Sequence, residues 1–492
     1  MSLSHKEKIN LVWLKRDLRT QDHLPLVEVL KSEIPFILIF CFEPSLIQHP
    51  DTSLRHLQFC FHSLKDIEEK LASFNIPIHL HYQEALEVFK NICNQFQVVD
   101  VFSYQESGIQ KTYDRDIAVK KFLVSHKIGW KEYKRNGVVR GIKNRSKWDK
   151  HWVSEIKEAF VFNEYKYIKS IDYENAFVLP NDFKKKLNNY PKAFQKPGET
   201  EAFSILDSFL NRRGRNYYKH ISKPELAQES CSRLSPYIAW GNVSLRQVYQ
   251  LCLKHPSSQQ YKRAYQGFRT RLMWNSHFIQ KFEMECRYEN ECINKGYELM
   301  PQDNDAQKLK AWKEGLTGYP LIDACMRCLI ETGWINFRMR AMLVSFLTHN
   351  LSCDWRLGAY HLANLFLDYE PGIHYPQIQM QAGTTGVNTI RMYNPTKQAM
   401  DNDKDGVFIK KWLPELANVP LNFIHKPWEM TLMDQMFCNT TIGTDYPKPI
   451  VDLKESAAVA RDKIWGFRKN SLVKQEQVRI INTHVRDQKR KV

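Results

Sequence analysis

Over residues 1–135 the chain alternates short apolar runs with amphipathic stretches. INLVWLK, PFILIFCF, IPIHLH and QVVDVFSY have the length and the β-branched and aromatic content of buried strands. Between the second and third of these, Leu57, Phe61, Leu64 and Leu71 recur at helical spacing, with Lys65, Asp66, Glu68 and Glu69 between them. Strand, amphipathic helix, strand is the order of a crossover unit, so this region predicts an α/β domain with a doubly wound parallel sheet. No GxGxxG follows the first strand, which argues against a dinucleotide on the usual phosphate loop.

The pattern then changes twice. Residues 136–197, including RGIKNRSKWDKHW and NDFKKKLNNYPKAFQKPGE, are basic, aromatic and interrupted, and read as an interdomain linker with local helix. From 198 to 480 strand signals vanish and helical segments follow one another, separated by turns such as TGYP and YEPG, which predicts a mostly α-helical second domain. Residues 481–492, INTHVRDQKRKV, read as a basic tail.

Charge bears on partners: 71 Lys+Arg against 54 Asp+Glu give a net +17, which favours polyanions and nucleic acid first, although the same excess also serves solubility. The polar start MSLSHKEKIN has no secretory pattern, no apolar run reaches membrane-spanning length, and eleven cysteines are scattered from Cys41 to Cys438. Reduced thiols in a cytoplasmic protein are therefore expected. Cys325 and Cys328 form a CxxC inside a helical pattern with no second pair or nearby histidine, so core thiols are expected there rather than a metal site.

Five segments carry a more specific signal: LVWLKRDLR from Leu11, SRLSPYIAWGNVSLRQV from Ser232, TGYPLIDACMRCLIETGW from Thr317, CDWRLG from Cys353, and MYNPTKQ followed by WLPEL. In order and spacing they resemble segments of photolyases and cryptochromes, along nearly the whole chain. The resemblance implies an N-terminal α/β domain able to hold an antenna pigment of the folate or deazaflavin type, and a helical C-terminal domain holding FAD. Ser232, Arg233, Leu234 and Ser235 then offer two hydroxyls and backbone N–H groups at a helix start to the pyrophosphate, a role that an ordinary serine N-cap would mimic. Tyr217 matches the family's upstream aromatic at FAD. Arg340 and Asp368 match a salt bridge beside the flavin ring, Glu370 falls where an aspartate usually meets the pyrimidine edge, and His374 falls opposite flavin N5. A histidine there is expected to donate to N5 or release a proton near neutral pH.

The sequence also departs from the family. Enzymes that repair cyclobutane dimers keep a carboxylate three residues before a lesion-stacking tryptophan; Trp274 matches the tryptophan, but Arg271 occupies the carboxylate position and offers only donors. Phe337 and Ala341 replace the asparagine and methionine of those enzymes and the two histidines of six-four photolyases, and Met380 replaces a second lesion-facing tryptophan. Of the family's three-tryptophan electron path, Trp312 and Trp355 match the outer and middle members, whereas the innermost aligns with Ile378, leaving Tyr375 or Trp334 to stand in. The function this implies is a monomeric, light-dependent DNA photolyase acting on UV-damaged pyrimidines flipped from the duplex, with Trp274 stacking on the lesion and Arg271, Arg338, Arg391 and Lys397 on phosphates. The altered lesion pocket keeps a cryptochrome-type blue-light photoreceptor open as the alternative.

Overall fold

The computed structural model describes residues 6–169 and 171–485. Five strands, β1 (Lys8–Leu14), β2 (Phe36–Cys41), β3 (Ile78–His81), β4 (Gln97–Tyr104) and β5 (Gly129–Tyr133), form one wholly parallel sheet of order β3-β2-β1-β4-β5. The first four coincide with the expected strands. The fifth, GWKEY, escapes sequence reading because none of its five residues is fully buried and its last three, Lys131, Glu132 and Tyr133, are all charged or polar-tipped.

Two-residue periodicity divides β1 between two cores. Leu11 and Trp13 pack with Phe89 and Ile92 of the helix Ala85–Gln95, while Val12 and Leu14 pack with Phe59 and Phe61 of the helix Leu54–Leu71. Both faces of the sheet are thus covered, as parallel sheets require. The chain runs from β1 through β2 to β3 on one side and crosses back from β3 to β4 on the other, so a crevice opens at the carboxyl end of β1.

From residue 134 onward the described residues form helices, turns and the isolated bridge between Ile442 and Tyr446. Residues 136–197 contain the helices Trp148–Lys157 and Asn181–Asn188 among extended segments, and the last helix, Ser471–His484, takes in the beginning of the expected tail; residues 486–492 lie outside the described part. The two halves meet where the loop after β1 touches the turn at Gly241: Leu18 N–H donates to the Trp240 carbonyl (3.1 Å), Arg19 Nη1 to the Gly241 carbonyl (3.2 Å) and Asn242 Nδ2 to the Leu18 carbonyl (2.9 Å). Gly241 has φ +79°, and a Cβ there would come within 2.2 Å of the Arg16 carbonyl.

Nine of the eleven cysteines are buried, Cys93 and Cys286 being partly open. Cys325 and Cys328 sit inside the helix Pro320–Thr332, where burial pushes the Cys328 thiol up to about 12. Among the described residues no group of His, Cys, Asp and Glu could hold a metal ion, and no helix is long and apolar enough to cross a membrane.

Candidate functional site

The helical half encloses a pocket of about 300 Å³, at the lower end of the size range of small-molecule and cofactor sites. Its walls come from the helices Lys262–Met284, Phe337–Ser345, Trp355–Leu365 and Pro371–Ala382, and from the turn at Ser232 to Ser235. Of the residues singled out in the sequence, Tyr217, Ser232, Arg233, Ser235, Arg271, Arg340, Asp368, Glu370 and His374 line it, together with Ile378. Leu234 is fully buried beneath the turn.

Arg340 and Asp368 form a bidentate pair, Nη1 to Oδ1 at 2.9 Å and Nη2 to Oδ2 at 2.8 Å, and Arg340 Nε donates to the Ile335 carbonyl at 2.8 Å. Three of the five guanidinium N–H groups are engaged, which leaves two for a ligand. Glu370, at the start of the helix Pro371–Ala382, is buried and faces Arg16 from the sheet half at 3.5 Å. Burial raises its carboxyl above the ordinary range, against the pull of Arg16 and Arg135.

The turn at Ser232 is unusual. Arg233 has φ +61°, a left-handed conformation that costs a non-glycine residue about 1–2 kcal/mol and that clusters at ligand sites. Its guanidinium lies 4.1 Å from the centre of the Trp334 ring and bonds Gln195 Oε1 (3.0 Å) and Gln228 Oε1; burial lowers its pKa to about 10. The helix that follows, Ser235–Trp240, has only six residues with Leu234 at its N-cap. The expectation of a helix N-terminus for phosphate is corrected accordingly: a helix this short has a weak dipole, and what the turn presents is the Ser232 and Ser235 hydroxyls.

His374 also differs from expectation. Its Nε2 lies 2.9 Å from the Ala359 carbonyl, which can only accept, so Nε2 carries the proton and Nδ1 of the neutral ring can only accept. Burial lowers the ring pKa to about 4. This hydrogen bond and the burial of the ring favour neither a proton given to N5 nor one released near neutral pH.

Trp312, expected at the outer end of an electron path, is completely enclosed, its indole N–H donating to the Leu343 carbonyl at 3.1 Å. That corrects its placement at the surface: the helix Ala306–Glu314 turns it into the core. Trp355 is buried as well and neither residue lines the pocket. Trp274 is 42% exposed on the Lys262–Met284 helix, with Arg271 stacked over it at 4.5 Å. Arg271 also lines the pocket, so it links the exposed tryptophan to it. Arg338, Arg391 and Lys397 lie outside the pocket wall: Arg338 Nη1 donates to Gln398 Oε1 at 3.3 Å, and the Ser345 hydroxyl donates to the Arg391 carbonyl at 3.4 Å. Arg391 and Lys397 are exposed.

Three further residues line the pocket without any signal in the sequence that singles them out. Asn275 Oδ1, Asn336 Oδ1 and Gln377 Oε1 are buried side-chain oxygens without a hydrogen-bond partner, and all three residues line this pocket. Orphaned buried amides are costly, and three around one cavity mark the place of a polar ligand. In sequence they show only as uncharged polar residues within helical patterns, Asn275 directly beside Trp274.

The crevice at the carboxyl end of β1 is different. It measures about 120 Å³, and its charges satisfy one another: Arg115 bonds Glu43 (2.9 Å), Glu106 (2.7 Å) and Asp116 (2.8 Å), and Lys15 bonds Asp116 (2.9 Å). Among the described residues this crevice offers no unpartnered polar group of its own that calls for a pigment.

Residues 10–147 match the family described as DNA photolyase, and residues 268–466 match the FAD binding domain of DNA photolyase. A deoxyribodipyrimidine photo-lyase of Alkalihalophilus pseudofirmus is 27% identical over 477 residues, covering 92% of this chain and 96% of the relative. A cryptochrome DASH of Synechocystis is 25% identical over 498 residues, covering 93% and 98%. Solved structures of the same fold include a Synechocystis cryptochrome, with TM-score 0.84, 24% identity and coverage of 94% of this chain and 100% of that one. A bacterial class III photolyase from Agrobacterium tumefaciens has TM-score 0.82, 22% identity and coverage of 96% and 100%. With both halves matched in their own order and relatives aligned almost end to end, the chain belongs to the photolyase and cryptochrome family.

Proposed function

We propose that the helical pocket holds FAD and that the protein is a light-dependent DNA photolyase. The observation that carries this reading is the joining of two features by one residue: Arg271 lines a pocket with three unpartnered amide oxygens and also stacks on the exposed Trp274. FAD bound there supplies an electron of high energy when it absorbs blue light.

Arg340, fixed by Asp368 and the Ile335 carbonyl, directs its two remaining N–H groups and a compensated positive charge at the bound ring system. The Ser232 and Ser235 hydroxyls and Arg271 serve the phosphates, and the amides of Asn275, Asn336 and Gln377 gain partners on binding. Trp274 offers an open indole face to a base swung out of the duplex, and Arg338, Arg391 and Lys397 neutralise phosphates alongside. Extrusion is needed because a stacked base cannot approach a cofactor enclosed by helices.

A second reading, a blue-light photoreceptor, draws on the carboxylates. Both that line the pocket are already engaged, Asp368 by Arg340 and Glu370 by Arg16, so neither stands free to share a proton with a lesion. Illumination of the reduced holoprotein with oligonucleotides carrying a cyclobutane dimer or a six-four lesion separates the two. Restoration of normal bases supports repair. A light-driven change in the protein without restoration of either lesion would replace it with the photoreceptor reading.

A further inference from the structure

His374 is part of the pocket wall, and two tyrosines stand directly behind it. The Tyr369 ring lies edge-on to His374 with centroids 5.2 Å apart, and the Tyr375 ring does so at 5.3 Å. Both rings are buried. Their hydroxyls converge on a single carboxylate: Tyr369 and Tyr375 both donate to Asp51 Oδ2, the second at 3.4 Å, with 3.5 Å between the two hydroxyl oxygens. Asp51 is itself buried, and His49 Nδ1 holds its other oxygen at 2.6 Å. The carboxylate belongs to the loop before the helix Leu54–Leu71 in the sheet half, whereas the tyrosines belong to the helical half. Packing alone does not call for a buried charge shared by two phenols, because burying the carboxylate is costly however well it is bonded.

We propose that Tyr369 and Tyr375 are the inner electron donors to a flavin in this pocket, taking the place left by Ile378, and that Asp51 accepts the phenolic proton. The proposal rests on FAD occupying the pocket. A phenol that loses an electron among apolar side chains becomes a buried cation unless its proton leaves with it. Here the acceptor is already hydrogen-bonded. One electron passes from the phenol to the light-excited oxidised flavin, which is the oxidant; the phenolic O–H bond breaks and an O–H bond forms on Asp51. A neutral tyrosyl radical and a neutral carboxyl remain. A soluble one-electron reductant, such as a thiol, later returns the electron while Asp51 returns the proton. Burial alone would raise Asp51, but the bonds from His49 and Tyr369 outweigh it and hold the carboxyl below its ordinary value, so it is ionised and ready to accept at neutral pH.

The competing aromatic residues are placed less well. Trp334 lines the pocket but carries the Arg233 guanidinium 4.1 Å from its ring centre, and the hydrogen-bond partners of that guanidinium are neutral amides and carry no countercharge. Oxidising the indole would set a new cation against a fixed one, which like-charge repulsion opposes. The tyrosyl product is neutral, so Arg16, 5.9 Å from the Tyr369 ring, does not oppose it in the same way.

The test uses the holoprotein. FAD content is measured first, because a wild-type chain that takes up no FAD fails the earlier reading and this one with it. Flash illumination of the oxidised holoprotein is then followed by electron paramagnetic resonance and flavin absorbance, for wild type, Tyr369→Phe/Tyr375→Phe and Asp51→Asn. Expected are a neutral tyrosyl signal in wild type and unchanged FAD content in the variants. Photoreduction should slow by about tenfold or more in the double variant and in Asp51→Asn, with slowing of wild type in D2O. A tryptophanyl signal in wild type, or an unchanged rate in the double variant, overturns the proposal. The wild-type signal alone decides the matter if a variant fails to fold.

Discussion

Arg340 keeps its geometry because Asp368 holds both ends of the fork, so removing the carboxylate leaves a largely enclosed guanidinium with one carbonyl partner. Asp368→Asn preserves the shape and deletes the charge. Asn Oδ1 can still accept one bond, but its NH2 group faces the other guanidinium N–H and the positive charge loses its partner, so the variant should destabilise the fold by about 1–3 kcal/mol and lower FAD content, as read by urea unfolding and by flavin absorbance. Unchanged absorbance and affinity would place the pair away from the flavin. His374 shows why residue chemistry is only half legible in a sequence. Its position in the chain brings it to the pocket, but the Ala359 carbonyl and the burial that lowers its pKa to about 4 are set by packing. The Asp51 cluster was out of reach for a similar reason, since 318 residues separate Asp51 from Tyr369 and neither sits in a motif that names the other.

At the level of elements, the short Ser235–Trp240 helix is ended by Gly241, whose positive φ lets the turn pass against the loop after β1. Gly241→Ala would bring a methyl group against the Arg16 carbonyl and impose a left-handed conformation on a non-glycine residue. It should cost at least about 1 kcal/mol and weaken FAD binding together with stability, because Arg16 also faces Glu370. A melting temperature equal to wild type would contradict this. The apolar strands and the crossover helix were readable because burial imposes period 2 and period 3.6 on their residues. β5 is not, since none of its residues is fully buried and Lys131, Glu132 and Tyr133 break any apolar pattern. In sequence the turn at Ser232 looks like the start of a full helix because serine and proline mark helix entry without saying how far the helix runs.

For the molecule as a whole, charge and burial make opposite demands. The net +17 predicts binding to damaged DNA that weakens steeply with salt, and Arg338→Ala and Lys397→Ala should each lower the log–log slope by about one. Salt-insensitive binding would count for the photoreceptor reading. Acid works on the interior instead. Burial lowers the rings of His56, His81, His349, His361, His374 and His484 to about 4, so between about pH 6.5 and 4 the unfolded chain binds protons that the folded chain does not. Stability is therefore lost as pH falls through that window. The raised carboxyls of Glu289, about 7, and Asp323, about 6, act in the opposite sense but are fewer. The free energy of unfolding in urea should drop by about 2 kcal/mol between pH 7 and 5 for each uncompensated histidine, and a flat profile would show that these rings reach solvent. The buried cysteines add a way to watch such openings one half at a time. A chromogenic disulfide should titrate at most Cys93 and Cys286 in the folded chain, slowly because burial raises both thiols to about 11, and all eleven once the chain unfolds. The order in which the other nine appear, Cys41 and Cys60 against Cys325, Cys328 and Cys353, would then tell whether the sheet half or the helical half breathes first.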